Sequence, residues 1–263
     1  PFGHIVPQGD TTGIPVRLSD AMELIDRTTD FIVSNQHLQL VDGLATSKRF
    51  KNIKLLNYVD EYDPDVQKQF AAMTYRLSLD AYLVVFRGTD DTLIGWKEDF
   101  HMTYMDHVPA QKRAASYLHH VMKEFPKGRF LVAGHSKGGN LATYACSYLP
   151  DSLFERVDAI YSYDAPGLNK AIIETEGYQR TSPYIRRFVP QGSIVGMMLE
   201  VPEPTTIVKS RALGGFAQHD AFTWEIKDYS FVTVSETSPD SQQTDLTLKQ
   251  WVRETSAEER KKF

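Results

Sequence analysis

The sequence predicts an α/β fold in which a mostly parallel central sheet carries helices on both faces. From Tyr82 onward, short apolar runs alternate with helix-like stretches, which is typical of parallel strands joined by right-handed crossovers. The chain has 263 residues, of which 41% are hydrophobic, so it is long enough for one large domain with a complete core. We therefore expect a single domain that spans residues 1–263.

The predicted elements follow this alternation in chain order. Residues 18–33 place apolar side chains at helical spacing, and Ser19 is the expected N-cap. A second amphipathic helix over residues 110–125 is expected to stop at Pro126, because proline cannot continue a helix. Strands are predicted at residues 69–77, 82–87, 129–133, 159–163, 185–189 and 206–209.

The C-terminal region is expected to consist of a loop followed by a helix. Residues 235–245 are rich in Ser, Thr, Asp and Gln, and this composition favours a loop. Residues 246–262 are charged and read as a helix, with Leu246, Leu248 and Trp251 as the expected anchors.

The most informative stretch lies between an apolar strand and a helix of small residues. Residues 134–140 read Gly-His-Ser-Lys-Gly-Gly-Asn, and the pattern Gly-x-Ser-x-Gly in this context is the nucleophile elbow. Gly134 and Gly138 flank Ser136, whose strained turn lifts the hydroxyl above the sheet edge. The helix N-terminus then directs its N–H groups at negative charge that develops beside the serine. The side chain of His135 is expected to point away from that hydroxyl.

A serine at neutral pH needs a base, and His219 is the expected one. In α/β-hydrolases the chain order is serine, acid, histidine, and His219 is the only one of the eight histidines that follows the elbow. It lies in a polar loop before the strand-like residues 222–226. The alternative is an ordinary histidine of a surface loop.

The best candidate for the acid is Asp164, which follows the apolar run at residues 157–163. A carboxylate at the carboxyl end of the next strand lies on the sheet edge where the active site must form. Ser193 ends the following strand, where many hydrolases place their acid, but a serine cannot hold the charge. Asp220 is too close to His219 to turn back easily on the same ring. The alternative for Asp164 is an Asx-type turn before Pro166.

A second polar glycine turn lies upstream of the elbow, at the end of the strand in residues 81–91. Such a turn can present a backbone N–H toward Ser136, which would complete an oxyanion hole with the N–H of Lys137. We see no glycine-rich phosphate loop and no His/Cys spacing suited to a metal, so no cofactor and no metal are expected.

These motifs resemble a known family. Phe-Arg-Gly-Thr at residues 86–89, Trp96, Asp99 and the elbow are similar to the class 3 (fungal-type) lipases and the poorly characterised bacterial lipase-like proteins related to them. The resemblance implies an α/β-hydrolase fold, and it implies that Thr89 supplies an oxyanion N–H. Phe-Thr-Trp at residues 222–224 is similar to their histidine region.

Two positions depart from the class 3 pattern. Those lipases carry Asp where this chain has Ser193, whereas Asp-Ala-Pro at residues 164–166 resembles the Asp-Pro-Ala of the pancreatic-type lipases. Lys137 replaces the usual Leu or Met, and we expect it to add a cation at the edge of the site. Both departures bear on the substrate more than on the chemistry.

Residues 96–109 interleave apolar and charged side chains and lie where lipases carry an amphipathic lid. The alternative is an ordinary helix packed on the sheet, and the sequence favours neither.

Charge and cysteine content limit the possible partners and compartments. The net charge is −5, which argues against nucleic acid as the main partner. One cysteine, Cys146, cannot form an internal disulfide, so a reducing and hence cytoplasmic compartment is expected. No transmembrane run and no signal peptide are visible, but the chain begins at Pro1, and a lost leader stays open.

The expected function is therefore a serine hydrolase that cleaves a carboxylic ester, with an acyl chain or lipid as its substrate class. Transient contact with a membrane surface fits such a substrate. Two alternatives stay open. The same residues support other acyl-transfer enzymes (a thioesterase, a peptidase or an acyltransferase), and the departure at Ser193 fits a binding protein that has lost catalysis.

Overall fold

A long twisted sheet forms the centre of the molecule. The computed structural model describes residues 5–10, 13–25, 35–66, 68–89, 105, 107–256 and 258–259. The strands are β1 Val16–Arg17, β2 Lys54–Asp63, β3 Lys68–Arg76, β4 Ala81–Phe86, β5 Arg129–His135, β6 Val157–Tyr163, β7 Ile185–Pro190, β8 Thr205–Val208, β9 Ile226–Lys227, β10 Ser230–Phe231 and β11 Thr233–Val234.

The helices connect and cover these strands. They are α1 Leu18–Glu23, α2 Asn35–Thr46, α3 Pro109–Glu124, α4 Lys137–Ser147, α5 Asp151–Phe154, α6 Lys170–Ile173, α7 Glu176–Thr181, α8 Gly215–Gln218 and α9 Pro239–Glu254.

The sheet order explains how the site is assembled. Over the described residues the order is β1-β2-β3-β4-β5-β6-β7-β8-β11, and β9 and β10 form a separate hairpin. Strands β4 to β8 are parallel, while β1 to β3 and β11 add antiparallel edges. The carboxyl ends of five adjacent parallel strands therefore meet at one edge. This is the α/β-hydrolase fold that the sequence predicts.

The core lies where α3 and α4 pack on this sheet. Val84, Val132 and Ile160, on β4, β5 and β6, are fully buried, and so are Tyr117 and Leu118 of α3. Every residue of α4 is buried, because its small side chains let the helix approach the strands closely. Burying one large aliphatic side chain stabilises the fold by about 1.5–3 kcal/mol, so this layer holds the elbow rigidly.

The predicted N-terminal helix differs from the observed one. Helix α1 ends at Glu23, and residues 26–33 of the prediction lie outside the described ranges. Ser19 is inside the helix rather than its N-cap, because the N–H of Leu18 donates to the carbonyl of Ile53 at 2.8 Å and the helix begins there, two residues before the start that a Ser19 cap predicts.

The predicted C-terminal loop over residues 235–245 is wrong in its second half. Helix α9 begins at Pro239 because the Ser238 hydroxyl accepts a hydrogen bond from the N–H of Ser241 at 3.3 Å, and proline suits the first helical position. The same helix ends at Glu254, so the predicted bounds 246–262 are shifted. Leu246 is 63% exposed and is not an anchor.

The strand-like residues 222–226 also fold differently. Residues 221–223 form a turn of 3₁₀ helix, because the Asp220 carboxylate accepts a hydrogen bond from the N–H of Phe222 at 2.9 Å. Only Ile226 belongs to a strand, the short β9.

Candidate active site

Ser136 lies at the sharp turn between β5 and α4. Its φ of 58° and ψ of −135° are unusual for a residue other than glycine and cost about 1–3 kcal/mol. The turn is held because the N–H of Ser136 donates to the carbonyl of Tyr163 at 2.9 Å, and the carbonyl of Ser136 accepts from Gly139 at 2.9 Å. The strained turn predicted for the elbow is therefore present.

The glycines of the elbow have no room for side chains. A Cβ on Gly134 would lie 2.1 Å from the carbonyl carbon of Gly138, and a Cβ on Gly138 would lie 2.1 Å from the carbonyl oxygen of Phe86. Strands β4 and β5 and helix α4 thus touch backbone to backbone, which requires glycine at both positions.

The structure brings Asp164 and His219 into contact. Asp164 is the first residue after β6, is fully buried and has a φ of 42°. His219 follows α8. The carboxylate Oδ2 of Asp164 lies 2.7 Å from Nδ1 of His219, which is hydrogen-bond distance for an imidazole N–H on a carboxylate. Asp220 instead caps the turn that follows it.

Ser193 also reaches this carboxylate, although the sequence gives no sign of the contact. Its hydroxyl is fully buried and donates to Oδ1 of Asp164, the oxygen that does not face His219. The N–H of Gly196 lies 3.2 Å from the same oxygen and 3.0 Å from the Ser193 hydroxyl. The sequence excludes Ser193 as the acid, because a serine cannot hold the charge. In the structure its hydroxyl instead donates a hydrogen bond to Asp164.

His135 contacts His219 rather than solvent. Its Nε2 lies 2.8 Å from the carbonyl oxygen of His219, and the two ring centroids are 4.5 Å apart. Because a carbonyl oxygen only accepts, Nε2 of His135 carries a hydrogen. Burial lowers the pKa of His135, and the nearby His219 lowers it further, against the opposing effects of that hydrogen bond and of Asp164 and Asp220.

The upstream glycine turn packs directly against the elbow. A Cβ on Gly88 would lie 2.8 Å from the carbonyl oxygen of His135 and 3.1 Å from Cβ of Ser136. Thr89 is the next residue along this segment, and Lys137 is the first residue of α4 on the other side of Ser136. Each predicted oxyanion donor is therefore the next residue in sequence after one side of this contact, Thr89 after Gly88 and Lys137 after Ser136.

A family model matches most of the chain. The model of the Mbeg1-like family matches residues 44–263, a range that contains Ser136, Asp164 and His219. The chain belongs to the Mbeg1-like family. No curated protein sequence is significantly similar to it.

Solved lipase structures resemble the Mbeg1-like chain at low identity. A mutant of MDLA from Penicillium cyclopium gives a TM-score of 0.48 and 15% identity, over 77% of this chain and 79% of that one. The lipase of Rhizopus microsporus var. chinensis gives 0.46 and 16%, over 62% and 72%. The native lipase–propeptide complex of Rhizomucor miehei gives 0.42 and 18%, over 62% of this chain and 58% of that one, so the chain spans less than two thirds of its length.

The side chain of Lys137 lies inside the Mbeg1-like protein rather than at its active-site edge. It is 1% exposed, and its ammonium group donates to the backbone carbonyl and the side-chain oxygen of Gln69 on β3, at 2.9 and 2.7 Å. The prediction of a cation at the edge of the site is therefore wrong.

Two buried amides hold the loop that follows Asp164. Gln111 of α3 donates to the side-chain oxygen of Asn140 at 2.9 Å, and Asn140 donates to the carbonyl of Gly167 at 2.5 Å. Sequence reasoning missed both residues, because their partners lie in other elements. Asn140, the last residue of the stretch 134–140, thus stabilises the loop that follows Asp164.

Arg187 lies beneath the same loop. Its buried guanidinium donates to the carbonyl of Ala165, the residue after Asp164, at 2.8 Å and to the carbonyl of Gly196, whose N–H binds the carboxylate. Burial lowers the pKa of Arg187, while Glu203 and Asp164 raise it. This cation offsets part of the cost of burying the charge on Asp164.

Residues 96–109, for which the sequence leaves a lid and an ordinary packed helix equally open, fall largely outside the described residues, as do Trp96 and Asp99. Of the described part, the carbonyl of Met105 accepts from Asn169 at 3.5 Å, and Nδ1 of His107 lies 3.0 Å from the hydroxyl of Tyr144.

Within the described ranges, His, Cys, Asp and Glu form no group of three or more that is placed to hold a metal ion. Over the same part of the chain, helices long and apolar enough to cross a bilayer are absent.

Proposed function

We propose that this Mbeg1-like protein is a serine hydrolase that cleaves carboxylic esters through an acyl-enzyme. The observation that carries the proposal is the contact between Asp164 and His219, at the sheet edge where the turn after β5 carries Ser136. The His135 ring, one residue before Ser136, lies against the His219 ring at a tilt of 36° and hydrogen-bonds its backbone, so the base packs against the residue that precedes the nucleophile. A buried carboxylate on Nδ1 leaves Nε2 of the imidazole as the basic nitrogen.

In the first half of the reaction Ser136 attacks the ester. Its hydroxyl oxygen bonds to the carbonyl carbon while Nε2 of His219 takes the hydroxyl proton, and the carbonyl π electrons move onto oxygen. The tetrahedral intermediate then collapses, and the C–O bond to the alcohol breaks. The imidazolium passes its proton to the departing alcohol, so the products are the acyl-enzyme and a neutral alcohol.

The oxyanion of this intermediate is stabilised by the backbone N–H groups of Thr89 and Lys137. Lys137 begins α4, where the helix dipole adds positive potential, and the Gly88 backbone packs against Ser136. Losing one such donor costs about 100- to 1,000-fold in turnover.

In the second half, water repeats the sequence on the acyl-enzyme. His219 takes a proton from water as the water oxygen bonds to the acyl carbon, and the proton then returns to the oxygen of Ser136 as the acyl bond breaks. Asp164 keeps the imidazole in the productive tautomer and stabilises its protonated form in both halves.

The proposed substrate class is an ester with an apolar acyl part, or a lipid. Leu213 and Phe216, which precede His219 by a few residues, are 95% and 67% exposed, so apolar surface is available next to the base. Because the Lys137 ammonium is buried against Gln69, it is not placed to bind an anionic group of a substrate. Transient contact of this apolar surface with a lipid interface is consistent with the same residues.

The test is a panel of p-nitrophenyl esters of rising acyl length, assayed beside matched thioesters and amides. We expect ester turnover that is lost in Ser136→Ala and in His219→Ala. Preference for thioesters or amides would favour another acyl-transfer enzyme. If folded wild-type protein turns over no substrate faster than Ser136→Ala does, a binding role is favoured.

A further inference from the structure

The two oxygens of the Asp164 carboxylate have different partners. Oδ2 faces Nδ1 of His219 at 2.7 Å. Oδ1 accepts from the hydroxyl of Ser193 and, at 3.2 Å, from the N–H of Gly196. The catalytic assignment uses only Oδ2, so the contacts on the other oxygen need their own explanation.

We propose that Ser193 is a positioning residue whose hydroxyl pins Oδ1 of Asp164 and so keeps Oδ2 aimed at His219. The inference rests on the proposed function for its effect on turnover, but the contact that it explains is independent of any reaction. Ser193 touches neither the substrate nor the reacting atoms.

The direction of the Ser193 hydrogen bond is determined by its neighbours. The N–H of Gly196 donates to the Ser193 oxygen at 3.0 Å, which occupies a lone pair of that oxygen. The hydroxyl hydrogen therefore remains for Oδ1, and an ionised carboxylate can only accept. A hydrogen bond to a charged group contributes more than one between neutral groups, so this contact holds the carboxylate firmly.

The surrounding backbone is shaped to bring the donors this close. A Cβ on Gly196 would lie 2.5 Å from Oδ1 of Asp164 and 2.7 Å from the Ser193 oxygen, so only glycine allows the approach. Arg187 then binds the carbonyls of Ala165 and Gly196, and it locks the segments on either side of the carboxylate.

Without the Ser193 hydroxyl, Oδ1 would keep only the longer bond from Gly196. The torsion that turns a carboxylate about its Cβ–Cγ bond is broad, so the orientation of the group is then held less firmly. Small misplacements of a catalytic group cost up to about 100-fold in rate. We therefore expect Ser193→Ala to lower kcat about 10- to 100-fold while KM changes by less than about 2-fold.

Ser241→Ala is the matched control. The Ser241 hydroxyl of α9 donates to the backbone carbonyl of Ser193 at 2.5 Å, so its removal loosens the same loop without touching the carboxylate. We expect kcat of Ser241→Ala to stay within about 3-fold of the wild type. An equal loss in both variants would mean that the loop, and not the hydroxyl, matters, and would overturn the proposal.

A spectroscopic readout tests the contact without catalysis. The proton between Nδ1 of His219 and Asp164 should give a downfield resonance that is absent in Asp164→Asn. We expect it to broaden or shift upfield in Ser193→Ala and to be unchanged in Ser241→Ala. Ser193→Cys keeps a donor at this position, although a weaker one, and should show a smaller change. It provides a second variant if the alanine variant does not fold.

The outcomes separate the two proposals. A wild-type resonance that Ser193→Ala or Ser193→Cys perturbs, in a protein without esterase turnover, would support the positioning role and reject the proposed function. Esterase turnover and a resonance that stay at wild-type values in both Ser193 variants would reject the positioning role and leave the hydrolase assignment standing.

Discussion

At the residue scale, the site depends on two strained positions that the sheet holds in place. Ser136 and Asp164 both have positive φ, and each is the first residue after a parallel strand. The N–H of each still pairs with the next strand, Ser136 with the carbonyl of Tyr163 at 2.9 Å and Asp164 with that of Phe188 at 2.7 Å. The backbone hydrogen bonds of the sheet therefore continue one residue beyond β5 and β6. They offset a strain of about 1–3 kcal/mol at each of the two residues.

The Asp164 carboxylate is expected to be essential for turnover but not for folding. Asp164→Asn should lower kcat on the order of 10⁴-fold, because the amide no longer favours the productive tautomer of His219. Steady-state kinetics with the preferred ester, alongside a circular dichroism spectrum, measures this. Asp220→Asn is the control, since Asp220 caps a local turn. A large loss in that variant, with Asp164→Asn unaffected, would identify Asp220 as the acid.

His135 gives the folded state a pH dependence of known sign. Its pKa lies below the ordinary value of 6.5, chiefly because of burial, so the unfolded chain binds more protons between the two values. Stability is then complete above about pH 6.5 and falls as the pH falls through that window. Urea unfolding at about pH 7.5 and pH 5 should show a smaller loss in His135→Gln than in the wild type.

The exposed His119→Gln on α3 is the control for that experiment and should keep the full wild-type loss. If His135→Gln loses as much stability as the wild type on acidification, burial of this ring is not a source of the pH dependence.

At the scale of elements, the predictable parts were those with a local signal. The strands predicted at residues 69–77, 82–87 and 185–189 agree with β3, β4 and β7 to within one residue at each end. The prediction of a loop over residues 235–245 misses the start of α9, although Ser238 and Pro239 form a local capping pattern. The polar composition of these residues favours a loop over a helix. Strand β2 was not predicted, and its register shifts between Leu56 and Val59, which interrupts the simple alternation of side chains.

The contact between α4 and β4 is expected to tolerate only glycine. Gly138→Ala should destabilise the protein by about 3 kcal/mol or more, because its Cβ would lie 2.1 Å from the carbonyl oxygen of Phe86. Gly43→Ala, also within a helix but with no heavy atom within 4 Å of the added Cβ, should stabilise it by about 0.5–1 kcal/mol. The urea midpoints of both variants measure these changes in stability. Equal changes would show that the close approach of α4 to β4 does not restrict position 138 to glycine.

At the scale of the whole molecule, the parallel sheet order brings the site together. Strands β5, β6 and β7 are neighbours, and they are followed directly by Ser136, by Asp164 and by the segment that leads to Ser193. The α/β-hydrolase fold was predictable because the alternation of elements and the elbow are visible in the sequence. The roles of Ser136, His219 and Asp164 stay predictions, which the observed contact between the last two supports.

The rest of the site was not predictable, because it depends on contacts between segments far apart in the chain. His135 and His219 are 84 residues apart, and their hydrogen bond has no local signal. The contact of Ser193 with Asp164 depends equally on how β7 packs beside β6. The prediction that Lys137 adds a cation at the edge of the site is wrong for the same reason. A lysine next to a nucleophile is expected in solvent, and its partner Gln69 is 68 residues away in the chain.

The central claim, that Ser136 is an activated nucleophile, is tested most directly by covalent labelling with a fluorophosphonate. The serine oxygen would attack phosphorus and expel fluoride, so the adduct reports activation without requiring the natural substrate. Intact-mass and peptide mass spectrometry should find one adduct per chain, on the peptide that contains Ser136, and none in Ser136→Ala. An undiminished adduct in Ser136→Ala, or no adduct on wild-type protein that hydrolyses esters, would contradict the account.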